Sequence, residues 1–290
     1  MSNLQSIFPA CHVVFPASAD SRRATFYLAA EEYIAQKLPA DNYLFSWQLS
    51  PTVVIGRNQV VHQEINLDFC QAEGIDVVRR KSGGGAIFAD QHNIMWSLVT
   101  TACAVEPLFQ VYAHEVARSL DSLGAQTEVS GRNDITLKNG GKICGNAFYH
   151  LANHNIVHGT MLYDTNPRLM QGALTPDVSK LQSKGVSSVR SRVALLKDVL
   201  TLSVTELRSR LSSLMTNRTY ELTENDLAGI EKLEEAYNNP AYLYGRITSD
   251  VERKAVIPGC GTVALYFKLR GTIIAVSYTH LRAHETRSNL

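Results

Sequence analysis

The chain has 290 residues, 45% of them apolar, which is enough for one large core or for a large domain beside a small one. A net charge of +1 excludes a general attraction to nucleic acid or anionic membrane, and no apolar run reaches membrane-spanning length or follows a basic N-terminal region as in a signal peptide. Five cysteines, scattered at Cys11, Cys70, Cys103, Cys144 and Cys260, have no metal-ligand spacing and fit the reducing cytoplasm.

Residues 20–38 read as a helix, with Asp20 or Ser21 as cap, Tyr27, Leu28, Ile34 and Leu38 at near-helical spacing, and Pro39 as stop. Two β-rich runs, 43–49 and 52–57, flank Ser50-Pro51 and predict a hairpin. A short helix at 66–73 ends at Gly74. A strand, a glycine-rich loop and two further strands fill 75–100. Residues 106–123 form the clearest amphipathic helix, with Leu108, Val111, Tyr112, Leu120 and Leu123, closed by Gly124. Strand character returns at 125–130, 134–138, 142–149 and 155–163, with Asn139-Gly140-Gly141 as a tight turn. Residues 165–192, with Pro167, Gly172, Pro176 and Gly185, predict loop with short helices. Helices follow at 203–215 and 223–238, the second opened by Thr223-x-x-Asp226.

Asn238-Asn239-Pro240 is the expected domain boundary, which sets a large domain, 1–240, against a small one, 241–276, with strands at 263–269 and 272–276. The stretch 277–290 turns abruptly polar, with His280 and His284, and reads as a non-native tail outside the fold. Hairpins dominate over regular strand–helix alternation. That predicts an α+β fold with a mixed sheet, not a doubly wound parallel sheet.

Two segments carry most of the chemical signal. Arg79-Arg80-Lys81-Ser82-Gly83-Gly84-Gly85 lies between the strand-like runs 75–78 and 86–88. Three glycines strip side chains from one stretch of backbone, so a ligand can meet main-chain N–H groups directly. Guanidinium groups bind phosphate or carboxylate in bidentate fashion, so Arg79, Arg80 and Lys81 read as positive charge at the entrance to an anion pocket. A plain flexible turn is the bland alternative. The pattern is neither G-x-G-x-x-G nor G-K-[ST], so Rossmann and Walker readings fail.

The second segment is Gly141-Lys142-Ile143-Cys144-Gly145-Asn146-Ala147. Its small residues allow Lys142 to turn inward, where it needs an anionic partner. Gly131-Arg132-Asn133-Asp134 reads as an Asx turn entering a strand, or as a carboxylate that orients a lysine or helps hold a metal. His150, His154 and His158 recur every four residues, but a three-histidine zinc site needs a helix that this strand-and-turn composition does not offer.

In order, Arg79-Arg80-x-Ser82-Gly83-Gly84-Gly85-Ala86-x-Phe88, Gly131-Arg132-Asn133-Asp134, Lys142-x-x-Gly145-x-Ala147, His158-Gly159-Thr160 and Lys184-Gly185-Val186-x-Ser188-Val189-Arg190-Ser191-Arg192-Val193 resemble the lipoate–protein ligase A family over about residues 20–240. The resemblance implies an α+β fold like that of biotin protein ligases and class II aminoacyl-tRNA synthetases: a mixed sheet with flanking helices. Residues 1–240 would be the catalytic, lipoate- and ATP-binding domain, and 241–276 a truncated C-terminal accessory domain.

It implies chemistry too. Such ligases activate lipoate with Mg2+-ATP to lipoyl-AMP, then pass the lipoyl group to a lysine of a lipoyl-carrier domain. The carrier would be the E2 subunit of a 2-oxoacid dehydrogenase or the glycine-cleavage H protein, with no nucleic acid or membrane involved. A carboxylate attacking the α-phosphorus brings two anions together, so their repulsion must be screened. By the resemblance, Lys142 contacts both the lipoate carboxylate and the α-phosphate. Arg80, Ser82, Gly83, Gly84 and Gly85 wrap the lipoyl and phosphate groups. Ala86, Ile87 and Phe88 continue the nucleotide wall through their backbone. Asn133 and Asp134 lie beside the phosphates, with Asp134 as a magnesium ligand or lysine orienter. Ala147 and His158 fill further pocket positions, and Trp47 marks the lipoyl-tail end. Lys184, Gly185, Arg190 and Arg192 belong to a mobile loop that closes on the adenylate.

The chain departs from the family pattern at Ala89-Asp90, where His-Asp is frequent, and at Lys81, where a neutral residue is common. The closest rival is an ATP-independent octanoyl or lipoyl transferase of the same fold. Its acyl-cysteine falls just upstream of the lysine motif, where this chain has Gly131-Arg132-Asn133-Asp134. A biotin protein ligase fits less well, because its glycine–arginine adenylate loop has no counterpart. A non-catalytic lipoate-binding protein is the alternative from another class.

Overall fold

The computed structural model describes residues 7–19, 21–101, 104–130, 134–174 and 193–244, and the strand backbones 251–257, 261–270 and 273–282. Asn133, Lys184, Gly185, Arg190 and Arg192 lie outside the described residues. The chain divides into two compact units, Met1–Asn238 and Asn239–Leu290.

The first unit runs β1 (Ala10–Val14), α1 (Ala24–Lys37), β2 (Tyr43–Trp47), β3 (Thr52–Ile55), α2 (Val61–Glu64), α3 (Leu67–Ala72), β4 (Asp76–Arg79), β5 (Ile87–Ala89), β6 (Asn93–Thr101) and α4 (Val105–Ser122). It continues with β7 (Thr127–Ser130), β8 (Asp134–Leu137), β9 (Lys142–Leu151), β10 (His154–Leu162), α5 (Pro167–Ala173), α6 (Val204–Met215), β11 (Thr216–Glu221) and α7 (Glu224–Tyr237). The second unit holds a short helix, α8 (Pro240–Leu243), and an antiparallel sheet of β12 (Val251–Ile257), β13 (Gly261–Arg270) and β14 (Ile273–Arg282). Strand β14 runs through the change in composition at 277.

Eight strands make one mixed sheet in the order β11-β1-β2-β6-β10-β9-β8-β7. The first three are mutually parallel and the rest antiparallel. The sheet and its flanking helices give the α+β architecture expected from the sequence. A separate sheet, β4-β3-β5, carries the glycine loop between β4 and β5.

The predicted hairpin over 43–57 does not form. Strand β2 pairs with β1 and β6, and β3 pairs with β4 and β5. Both strands are buried along their whole length, and each lies between two neighbours. Ser50-Pro51 therefore passes the chain between sheets. The first helix also starts late, at Ala24 without a side-chain cap. Ser21 lies in the left-handed region at φ 60°, and Asp20 is outside the described residues. Strands β1 and β11 carry no clear signal in the sequence; β11 is mostly exposed and polar, so no apolar alternation marks it.

One face of the large sheet packs on α4 and α6. Leu108, Tyr112, Val116 and Leu120, four residues apart along α4, meet Leu44, Trp96, Leu98 and Val157 of the sheet and Leu207 and Leu211 of α6. Each large apolar side chain removed from water there contributes about 1.5–3 kcal/mol. Helix α1 lies between the opposite face and α7 and is buried almost all round. Two adjacent charged residues, Glu31 and Glu32, are carried into that interior at 0% and 4% exposure.

Candidate active site

Strand β4 delivers the chain into the loop Arg80–Ala86. Both arginines point inward rather than guarding an entrance, with Arg79 5% and Arg80 6% exposed. Arg79 donates to the carbonyls of Gly56, Arg57 and Gln59 at 2.8–3.0 Å. Arg80 donates through Nη2 to Gly83 O at 2.7 Å and Gly85 O at 2.8 Å, and through Nη1 to Val54 O at 3.0 Å. Its Nε donates to Ser82 Oγ at 2.9 Å. Burial pushes the Arg80 guanidinium down to about 10, against the opposing effect of Glu31, so it stays charged at neutral pH. A planar fork is needed to reach four oxygens around one loop, which lysine cannot do.

Arg80 is thus the internal brace of the loop. Its bonds turn two glycine carbonyls inward and leave Gly83, Gly84 and Gly85 exposed. Among the described residues none accepts a hydrogen bond from the N–H of these glycines. Gly84 adopts φ 90°, a region that side chains disfavour. Its carbonyl packs directly on Gly56, where a Cβ would lie 2.2 Å from that oxygen.

Ser82 fastens the loop to the large sheet. Its Oγ lies 2.6 Å from His158 Nε2, and His158 Nδ1 lies 2.9 Å from Glu31 Oε1. Arg80 can only donate, so Ser82 Oγ accepts from it. A carboxylate can only accept, so His158 Nδ1 donates to Glu31; in the neutral ring Nε2 then accepts the Ser82 hydroxyl proton. Ser97 also donates to Glu31 at 2.6 Å, as does Tyr149 at 3.3 Å, so this fully buried carboxylate is well partnered. Trp47 donates through Nε1 to Ser97 Oγ at 3.0 Å and stacks on Tyr27 at 4.9 Å. It is 1% exposed, an anchor of the sheet beside Glu31.

Strand register brings the lysine to the same face. Ala147 pairs with His158, and Gly145 pairs with Asp134. Side chains two apart on a strand share a face, so Gly145, Ala147 and Tyr149 lie on the His158 side. Lys142 folds across Gly145, and its Nζ meets Asp134 Oδ1 at 2.7 Å. Both side chains are about one-third exposed, at 38% and 32%. The turn before it uses Gly140 and Gly141 at φ 101° and 92°, as Asn139-Gly140-Gly141 predicts. Cys144 faces the opposite way, into the α4 core, and burial pushes its thiol up to about 12. Such a thiol supplies no nucleophile at neutral pH.

Strand β5 is one of the two edge strands of the small sheet. Phe88 is buried in that sheet's own core, so at that position only the backbone can face a ligand from this edge, while Ala86 and Ile87 are half-buried. Asp90 is buried and accepts from the N–H groups of His92 and Asn166. Among the described residues no group of three His, Cys, Asp or Glu side chains could hold a metal by itself. Asp134 fits the other mode of magnesium binding, in which one or two carboxylates act together with substrate phosphates. The lysine bond occupies one of its oxygens.

Sequence reasoning missed Glu31, Glu32, Gly56, Tyr149 and Tyr237. A signal was present for the glutamates: two adjacent carboxylates stand inside Ala29-Ala30-Glu31-Glu32-Tyr33-Ile34-Ala35. On a helix this apolar, such charges need buried partners.

The lipoyl protein ligase A/B catalytic domain family matches residues 23–215. Lipoate–protein ligase 1 of Staphylococcus aureus (strain Mu50 / ATCC 700699) is 36% identical over 231 residues, 77% of this chain and 70% of that protein. A structure from work on the bi-partite lipoate protein ligase and E2 lipoyl domain of Thermoplasma acidophilum superposes with a TM-score of 0.72 at 24% identity, covering 83% of this chain and 98% of that one. A crystal structure of lipoate–protein ligase A bound with ATP gives a TM-score of 0.68 at 23% identity, covering 81% and 98%. The two structures share the fold.

Proposed function

The chain belongs to the lipoyl protein ligase A/B family and has the enzyme class of lipoate–protein ligases, and from that premise we infer a two-step reaction. In the first step the lipoate carboxylate attacks the α-phosphorus of ATP, giving lipoyl-AMP and pyrophosphate. In the second, a carrier lysine attacks the mixed anhydride and AMP leaves. Carriers of fitting chemistry are the lipoyl domains of 2-oxoacid dehydrogenase E2 subunits and the glycine-cleavage H protein.

One observation carries this reading. The Lys142 ammonium lies over Gly145 on the sheet face to which Ser82 is fastened through His158, so a cation and a bare-backbone loop border the same face. Lys142 would bridge the carboxylate and the α-phosphate, screening their repulsion and holding them in line. Asp134 orients the lysine before substrate arrives. The exposed N–H groups of Gly83, Gly84 and Gly85 would meet phosphate oxygens, and Arg80 holds the carbonyls away from them. Mg2+ arriving with ATP would reduce the charge on the phosphates, with Asp134 as its protein ligand. Asn133 and the loop residues Lys184, Gly185, Arg190 and Arg192 belong to the same proposal through the family pattern.

The transferase alternative has less support, because Cys144 is buried on the wrong face. The deciding experiment incubates the protein with lipoate, Mg2+-ATP and an apo carrier domain, and follows pyrophosphate and carrier mass. ATP-dependent acylation is expected. Acylation from an octanoyl donor without ATP would establish the transferase instead.

A further inference from the structure

Lys81 and Ser82 are neighbours in the glycine loop, and each reaches a different glutamate of α1. Ser82 reaches Glu31 through His158. Lys81 Nζ lies 2.6 Å from Glu32 Oε1 and 2.7 Å from Oε2. Tyr237, the last residue of α7, donates its hydroxyl to Glu32, and its ring lies under the Lys81 ammonium at 5.2 Å. Tyr237 is 4% exposed. Tyr149, on β9, donates to Glu31 on the other arm.

We propose that Lys81, Glu32 and Tyr237 form a second positioning arm for the glycine loop, setting the orientation in which its N–H groups meet a nucleotide's phosphates. The proposal rests on the ligase reading. A loop with three glycines has unusual backbone freedom. Arg80, the Arg57 N–H bonded to Ser82 O at 2.9 Å, and the Ser82–His158 contact brace the loop toward β3 and the large sheet. The charge-assisted Lys81–Glu32 bond holds the adjacent residue from α1, a separate direction. The Lys81 ammonium is satisfied by Glu32 and the Tyr237 ring, so it serves as a tether rather than as loose positive charge. None of the three is placed on the reacting atoms. The arm therefore acts through the Gly83–Gly85 backbone and affects how ATP is held.

The test is lipoate-dependent exchange of labelled pyrophosphate into ATP, run on wild type, Lys81→Met, Tyr237→Phe and the double variant. Each single variant is expected to lose about tenfold in kcat/KM for ATP, with KM for lipoate little changed. The double variant should lose no more than the worse single, because both changes break one arm. Tyr33→Phe is the control. Tyr33 donates to Asp226 at 2.8 Å and so joins the same two helices, α1 and α7, away from the loop. It should lower the thermal midpoint and leave KM for ATP unmoved. Wild-type kcat/KM in the single variants, additive losses in the double, or the same KM change in Tyr33→Phe would each overturn the arm. Absence of exchange in wild type would overturn the ligase reading itself, and the arm's proposed role would fall with it.

Discussion

The Lys142 ammonium lies 2.7 Å from Asp134 Oδ1 and rests on a strand that is bare because position 145 is glycine. A Cβ there would stand 2.6 Å from both Cε and Nζ of Lys142. The obstacle is the far end of a flexible side chain, so the fold can absorb it while the lysine cannot keep its place. Gly145→Ala should therefore slow lipoate-dependent pyrophosphate release by at least about tenfold. Its thermal midpoint should stay within about 4 °C of wild type. Unchanged release would mean that the lysine works from another position.

Lys142→Ala should abolish adenylate formation and leave far-UV circular dichroism intact. The side chain is 38% exposed, so truncation leaves no core cavity. Asp134 is itself about one-third exposed, at 32%, so removing its partner leaves no buried unpaired charge and limits the stability cost to about 1 kcal/mol. Near-normal pyrophosphate release would show that the reaction centre is elsewhere.

Gly56 and Gly83 separate packing from conformation. A Cβ at Gly56 meets the Gly84 carbonyl at 2.2 Å, and backbone cannot swing aside as a side chain can. Gly56→Ala should cost about 1–3 kcal/mol in urea denaturation and displace the loop. At Gly83 nothing lies within 4 Å of the added Cβ, so Gly83→Ala should unfold at the wild-type midpoint. Equal stability losses in the two variants would contradict this account of the loop.

Asp226 links the fold to acid pH. Burial alone would raise its carboxyl, but bonds from the Thr223 hydroxyl and N–H and from Tyr33 outweigh burial and lower it below the ordinary 3.8. A depressed folded value means that the stabilisation is present above the ordinary value and is lost as pH falls through the lower one. Asp226→Asn should cost about 1–2 kcal/mol at pH 7. The gap to wild type should close below about pH 4 in a series of urea titrations. A gap independent of pH would show that the carboxylate charge contributes nothing.

Local requirements were legible in the sequence. Three glycines in a row, a lysine among small residues, the four-residue spacing of α4 and the Thr223–Asp226 capping box each state a need that few residue types meet. Sheet membership was not legible. Both β2 and β3 are mostly apolar and buried along their whole length, and such a run does not say which strands will pair with it. The direction of Arg80 was hidden as well, since a guanidinium binds a phosphate and a ring of carbonyls by the same N–H groups.

The sequence by itself determined the residues with special backbone or charge: Gly83–Gly85, Lys142 and Asp134, together with an α+β chain of the ligase family. Only the tertiary structure decided how the loop is held. Ser82 and His158 are 76 positions apart, and Lys81 and Glu32 are 49. Those contacts exist because α1 is pressed between the large sheet and α7, which carries Glu31 and Glu32 out of water. A carboxylate so placed must be paired, and its partners are whichever donors the packing brings within reach.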